Sequence, residues 1–209
     1  FWTGLSMALM SAIYNLGSVI LQSSINALGS VYIAAQVGGR KLAEFFYIPG
    51  IALGTSAATF SSQNFGAGER ARIAKGARSG IFMYFCWWLV ALVFVIFLAP
   101  TAVKFITGSS NPEVIKNGVL YLRISIPMIP PMAILVILRN ILQGMRRPGM
   151  PLFCSCLELI GKVIFALWLV PAFGYLAVCI CEPVTWVICC VVIAVAVFAI
   201  RGEFTNRHI

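Results

Sequence analysis

The stretch GTSAATFSSQNFGAGERARIAKGARSG, residues 54–80, decides how the rest of the chain is read. An apolar segment leaves Pro49 and Gly50, thins into small and polar residues, and stops at Gln63 and Asn64. Gly66 and Gly68 break it. Arg70, Arg72, Lys75 and Arg78 then follow with only Glu69 to offset them, and a second apolar run opens at Ile81. A basic loop between two apolar runs belongs on the cytoplasmic side of a membrane.

Composition agrees. The chain is 61% hydrophobic and 10% charged, with a mean hydropathy of +0.97. A soluble domain carries roughly a quarter charged residues, so this is a membrane protein. The net charge of +9 would suggest nucleic acid in a soluble chain. Here the basic residues collect at one set of helix ends, the positive-inside pattern, so no nucleic-acid partner is expected. The chain opens on Phe1 without a basic leader and reads as an excerpt of something longer.

Six apolar spans are predicted, at about 4–25, 31–62, 80–103, 119–142, 152–170 and 175–200. The expectation is an all-α, six-helix membrane unit made by the whole of residues 1–209. Asn26 to Gly29 marks the first turn. The second span is too long for an upright crossing, and Pro49 predicts a kink or tilt. Gly50 and Gly54 in that span offer a face for close helix approach. Asn111, Pro112 and Glu113 read as a helix start, with a cap, a proline at the first position and an acid at the positive end of the dipole. Pro127, Pro130 and Pro131 break the fourth span and are its hinge candidates. A broken backbone at that depth must be buried in protein or line a wet cavity.

Alternation of the spans puts Arg70, Arg72, Lys75, Arg78, Arg146, Arg147, Arg201 and Arg207 on one side and Arg40, Lys41, Lys104 and Lys116 on the other. That bias places both termini in the cytoplasm, in a multi-pass cell-membrane protein.

The chemistry-bearing candidates are few. The seven cysteines sit in apolar runs without zinc-type spacing, and the single histidine, His208, is in the tail. No metal or other cofactor is expected. Gly66-Ala-Gly68-Glu-Arg-Ala71 has dinucleotide-loop spacing, but a membrane helix precedes it and no acid follows at the required distance. No signature of an ATPase or a hydrolase is present, so an enzyme is not expected.

Three glutamates lie within spans. Glu44 follows Arg40 by four residues and Lys41 by three. It reads either as a cleft carboxylate that binds a proton or cation, or as half of a local ion pair. Glu158 has Lys162 one turn on and reads either as a substrate or ion carboxylate of the cleft or as half of a self-neutralised pair facing other helices. Glu182 precedes Pro183 and has no local base, so it is a proton carrier or a neutral buried acid. Arg123 and Arg139 are sixteen residues apart, roughly 24 Å along a helix, and are expected to snorkel to opposite interfaces. Gln22, Asn26 and Gln36 either contact substrate or join helices.

Taken together, INALG and YIAA within 25–35, IPGIALGTSAATFSSQNFGAGERARIAKG at 48–76, YLRISIP at 121–127, LRNILQGMRRPGMP at 138–151 and LELIGKV at 157–163 resemble the second half of multidrug and toxic compound extrusion (MATE) transporters. The resemblance covers nearly the whole chain. It implies one six-helix lobe of a twelve-span secondary transporter, with the N-terminal lobe absent from this sequence. It also implies export of cationic or amphipathic small molecules in exchange for Na⁺ or H⁺, across a bacterial-type inner membrane. The first two spans should then line the cleft, which raises Tyr14, Gln22, Asn26, Gln36 and Glu44 as contacts. A lipid-linked-saccharide flippase of related architecture and a non-transporting membrane scaffold are the alternatives.

Overall fold

The computed structural model describes residues 2–199. Arg201, Arg207 and His208, with the last residue of the expected sixth span, lie outside the described residues. Among the described residues every element is helical: α1 (Trp2–Leu28), α2 (Ser30–Gly66), α3 (Arg70–Thr107), α4 (Pro112–Ser125), α5 (Ile129–Gly144), α6 (Gly149–Ile164), α7 (Val170–Phe173) and α8 (Tyr175–Ala199). A 3₁₀ turn, Ile126–Met128, joins α4 to α5, and a π-helical turn, Phe165–Leu169, joins α6 to α7. Each of those joined pairs forms one continuous rod, so the architecture is six rods.

Five of the rods are long and apolar enough to cross a membrane: Gly4–Leu28, Arg70–Thr107, Pro112–Gly144, Gly149–Phe173 and Tyr175–Ala199. The sixth, α2, differs from the expectation in composition. It is 37 residues long, but its inward face mixes Leu42, Phe46 and Tyr47 with glycine, alanine, Gln36, Ser61 and Asn64. It packs against α3, α4 and α5, and small residues allow that. A Cβ added at Gly50 would lie 2.5 Å from the Tyr84 ring on α3, and one added at Gly54 would lie 2.8 Å from the Asn140 amide on α5. The two glycines therefore serve two neighbours.

The basic segment 70–78 is a second correction. Only Ala67, Gly68 and Glu69 form the turn, and Arg70 already begins α3. Gly68, at φ 77°, makes the reversal. At 38 residues, α3 spans about 57 Å, well beyond the roughly 30 Å apolar slab, so its basic first turns extend past it. Outward apolar side chains such as Phe82 and Phe97, 67% and 74% exposed, give its middle a lipid-facing surface.

Prolines are handled by donors from elsewhere. Pro130 has no N–H for the Ile126 carbonyl, which instead accepts the Ile129 amide within the 3₁₀ turn and the Trp88 indole N–H at 3.0 Å. Pro127 lies in that turn, and Pro130 and Pro131 open α5. The break expected in the fourth span is therefore real; Ile126 and Ile129 are buried on its inner side, while Pro127 and Met128 are exposed on the other. In α2, Pro49 ends nothing, since the helix continues to Gly66. One turn before it, the Phe46 carbonyl accepts the Trp87 indole at 3.1 Å and the Tyr84 hydroxyl at 3.3 Å. The expected start of α4 is also found, with the Asn111 side chain accepting the Glu113 amide at 2.9 Å.

Phe65 and Gly66 share a cavity of about 270 Å³ with Gly144 and Arg146, so the α2–α3 and α5–α6 connections sit at one end. An impermeant maleimide should label Ala67→Cys and Gly149→Cys, in a Cys86→Ser background, from the cytoplasmic face alone. Labelling from opposite faces would contradict the fold, and labelling of both from outside would reverse the orientation.

At the same end a Cβ on Gly144 would sit 2.3 Å from the Ala58 carbonyl oxygen. Gly144→Ala should therefore cost about 1–3 kcal/mol, read as a lower unfolding midpoint in detergent. Gly66→Ala, with open space at its Cβ, should leave the midpoint unchanged.

Candidate functional site

The centre of the lobe holds four charged side chains, two of them supplied by α6. Glu158 and Lys162 lie one turn apart, and both are buried. The sequence pairs them with each other; the structure pairs each with a different helix. Arg139 of α5 donates from Nη2 to Glu158 Oε1 at 2.8 Å. Lys162 Nζ lies 3.9 Å from Glu182 Oε1 on α8. Glu182 therefore has a base after all, brought by tertiary packing rather than by sequence neighbours. Arg139 likewise turns inward instead of snorkelling, with its side chain 18% exposed.

Lys162 is the hub. Its ammonium donates to Ser18 Oγ at 3.2 Å and sits 4.0 Å from the centre of the Tyr14 ring, both on α1. Its stem fits against Gly17, where a Cβ would lie 3.0 Å from Lys162 Cδ. The Tyr121 hydroxyl of α4 donates to the other oxygen of Glu182 at 3.3 Å. Four rods, α1, α4–α5, α6 and α8, thus converge on one neutral set of two acids and two bases. Isolated charges could not stay ionised in such a setting.

Of the residues singled out by sequence, Tyr14, Glu158 and Glu182 come together around Lys162. The rest do not. Gln22 donates to Asn26 at 2.9 Å on the exposed face of α1. Gln36 is buried and accepts the Tyr175 hydroxyl at 2.9 Å, an interhelical tie. Glu44 is 57% exposed and forms the local pair with Arg40 at 3.2 Å. Sequence reasoning missed Lys162 as the hub and missed Arg139, Tyr121 and Ser18 as partners. The signal was there in Gly17 and Gly161, since glycine allows the close approach that a buried lysine stem needs. A Cβ on Gly161 would meet Thr185 Cγ2 at 2.6 Å, closing α6 on α8.

Beside this cluster a furrow of about 440 Å³ opens between α1, α2, α5 and α6, with Tyr14, Asn15, Thr55, Arg139 and Asn140 on its walls. That volume suits a drug-sized molecule.

The MatE family model matches residues 6–168. The chain belongs to the MatE family. These are membrane transporters, not enzymes, and this member is a multi-pass membrane protein. A crystal structure of a MATE mutant is similar over 97% of this chain and 45% of its own, with a TM-score of 0.82 and 15% identity. A MOP superfamily transporter from Pyrococcus furiosus matches over 98% of this chain and 47% of its own, with a TM-score of 0.71 and 16% identity. A MATE structure in complex with MaD3S matches over 97% and 46%, with a TM-score of 0.71 and 16% identity. The chain spans less than half the length of these structures, and at such identities they share its fold alone. No protein of curated function matches the sequence.

Removing one partner of a buried pair strands the other. Lys162→Met should therefore destabilise the MatE lobe by about 3–5 kcal/mol, and Lys162→Met with Glu182→Gln should recover most of that loss. Chemical denaturation in detergent measures both; equal losses would show that the two groups are not coupled.

Proposed function

We propose that this chain is the C-terminal lobe of a secondary active efflux transporter that exchanges Na⁺ or H⁺ for amphipathic small molecules by alternating access. The observation that carries the reading is a family match joined to a fold that repeats less than half of larger transporters. In this reading an N-terminal lobe completes the cleft, all six rods cross the membrane, and both ends of the segment face the cytoplasm. The two lobes rock about a mid-membrane site.

Glu182 is the coupling candidate this lobe offers. Its oxygens are held by one distant ammonium and one hydroxyl. A proton or Na⁺ arriving there competes with Lys162 for the carboxylate. Its binding releases an ammonium that touches α1 through Ser18 and Tyr14. Cation occupancy is thereby converted into a changed contact between α6, α8 and the cleft helix. Glu158, held by a shorter pair, serves as a fixed brace, and Glu44 stays outside the exchange. Pro127, Pro130 and Pro131 supply the hinge, because the 3₁₀ turn lets α4 and α5 reorient with few main-chain bonds to break.

One observation favours a second reading, flipping of a lipid-linked saccharide: the furrow beside the cluster carries an arginine and no acid. A scaffold without transport does not require a wet furrow.

Dye efflux from cells expressing the native gene tests the proposal. Glu182→Gln should abolish gradient-driven efflux per folded transporter, with efflux normalised to the protein in the membrane, and Glu44→Gln should leave it near wild type. Normal efflux from Glu182→Gln would move coupling out of this lobe.

A further inference from the structure

We infer that the α1–α2–α5–α6 furrow recognises an anionic group on the transported molecule, with Arg139 and Arg146 as its cationic contacts. The inference rests on reading the chain as half of a transporter and names the substrate class of that same cleft.

The furrow is longer than its main cavity. The 440 Å³ space shares Met7 and Gln143 with a second of about 340 Å³, which shares Ser62, Gly144 and Arg146 with the 270 Å³ space at the basic end. These three spaces lie in a row along the lobe, with Arg139 on the inner one and Arg146 on the two nearer the basic end.

None of the acids in the described residues enters it. Glu44 pairs with Arg40, Glu69 sits at the α2–α3 turn, and Glu113 opens α4. Glu158 and Glu182 lie in the buried charge cluster. The carboxylate next to these walls, Glu158, is already engaged by Arg139 at 2.8 Å, so a cationic substrate finds no free carboxylate there.

Unspent donors point the same way. Arg139 gives one N–H to Glu158, and the rest of its guanidinium, on a side chain 18% exposed, borders the furrow with donors to spare. The Gln143 amide N–H points at the thioether of Met10 at 3.5 Å, a weak acceptor that a carboxylate or phosphate oxygen would readily replace. Arg146, the one non-glycine with positive φ, 60°, among the described residues, is the left-handed residue of the cap that closes α5, with the Arg147 amide donating to the Leu142 carbonyl at 2.8 Å. A guanidinium beside an under-used amide suits a planar or tetrahedral oxyanion, and Arg146, nearer the basic end, adds a second positive charge on its way in. Met7, Met10 and Ile51 offer an apolar side to the rest of the molecule.

The anion could belong to a free amphipathic acid or to a lipid headgroup. The protein expressed from its native gene, placed in phosphatidylcholine nanodiscs, should bind carboxyfluorescein about tenfold tighter than ethidium by fluorescence anisotropy. Arg139→Gln and Arg146→Gln should each weaken carboxyfluorescein about tenfold and leave ethidium unchanged. Arg146 is exposed in a connection, so its variant folds even where Arg139→Gln does not.

Protein-dependent transfer of NBD-phosphatidylglycerol, but not NBD-phosphatidylcholine, between leaflets of proteoliposomes would also support the proposal and assign the anion to a lipid. Carboxyfluorescein binding without lipid transfer assigns it to a soluble acid. Tighter ethidium binding, indifference to Arg146→Gln, or neither carboxyfluorescein binding nor phosphatidylglycerol transfer would overturn it. Arginine-dependent binding without gradient-driven movement would instead leave the site standing and defeat the transporter reading.

Discussion

The apolar slab of a bilayer offers the backbone no water, and every polar group facing it must find a partner in the protein. Two adjacent tryptophans on α3 meet that demand for their neighbours. Trp87 and Trp88 send their indole N–H groups in different directions, one to the Phe46 carbonyl of α2 and one to the Ile126 carbonyl of the broken fourth rod. Both acceptors lie within a turn of a proline that weakens its helix. The breaks are thus tolerated because α3 carries donors at the right height. In return α3, whose outer face is almost wholly apolar, is held at a fixed rotation against α2 and α4–α5.

The same constraint governs the charges. Four ionisable side chains sit in the interior because α6 presents an acid and a base one turn apart and lets each reach a different neighbour. Had Glu158 and Lys162 satisfied each other, α6 would have been an independent self-neutral rod. Split as they are, they tie α5, α8 and α1 to one helix. A pair at 2.8 Å and a pair at 3.9 Å are also unequal, which divides their roles into a brace and an exchangeable contact.

Much of the fold was legible. Apolar run length, the glycine pair at 66 and 68, the Asn111 cap and the proline cluster gave rod count and break points, because these are local rules acting on local residues. Three things were not. The basic stretch 70–78 is helical because a helix already nucleated in the apolar run propagates at little net cost into water, and the sequence marks only its charge. The true partners of Glu158 and Glu182 are set by helices 19 and 61 residues away, which periodicity cannot address. The charge of the furrow emerged only when α1, α2 and α5 were placed side by side, since Arg139 viewed alone is a residue near a helix end. Motif reading found the acids; packing decided which of them face the space a molecule could enter.

The π-helical turn at Phe165–Leu169 has a consequence for how this rod is indexed. One widened turn accommodates an extra residue, so positions beyond it are rotated by about 100° relative to an unbroken α-helix. Ser24 of α1 donates to the Ala166 carbonyl there at 3.1 Å, occupying an acceptor that the wide turn loosens. The charged half of the rod and its Val170–Gly174 end therefore obey separate phase counts. A sequence comparison that slides one along the other without a gap would assign the wrong residues to the inner face. A relative lacking that single residue could keep the Glu158 and Lys162 register intact while presenting a different side of its outer end to α8.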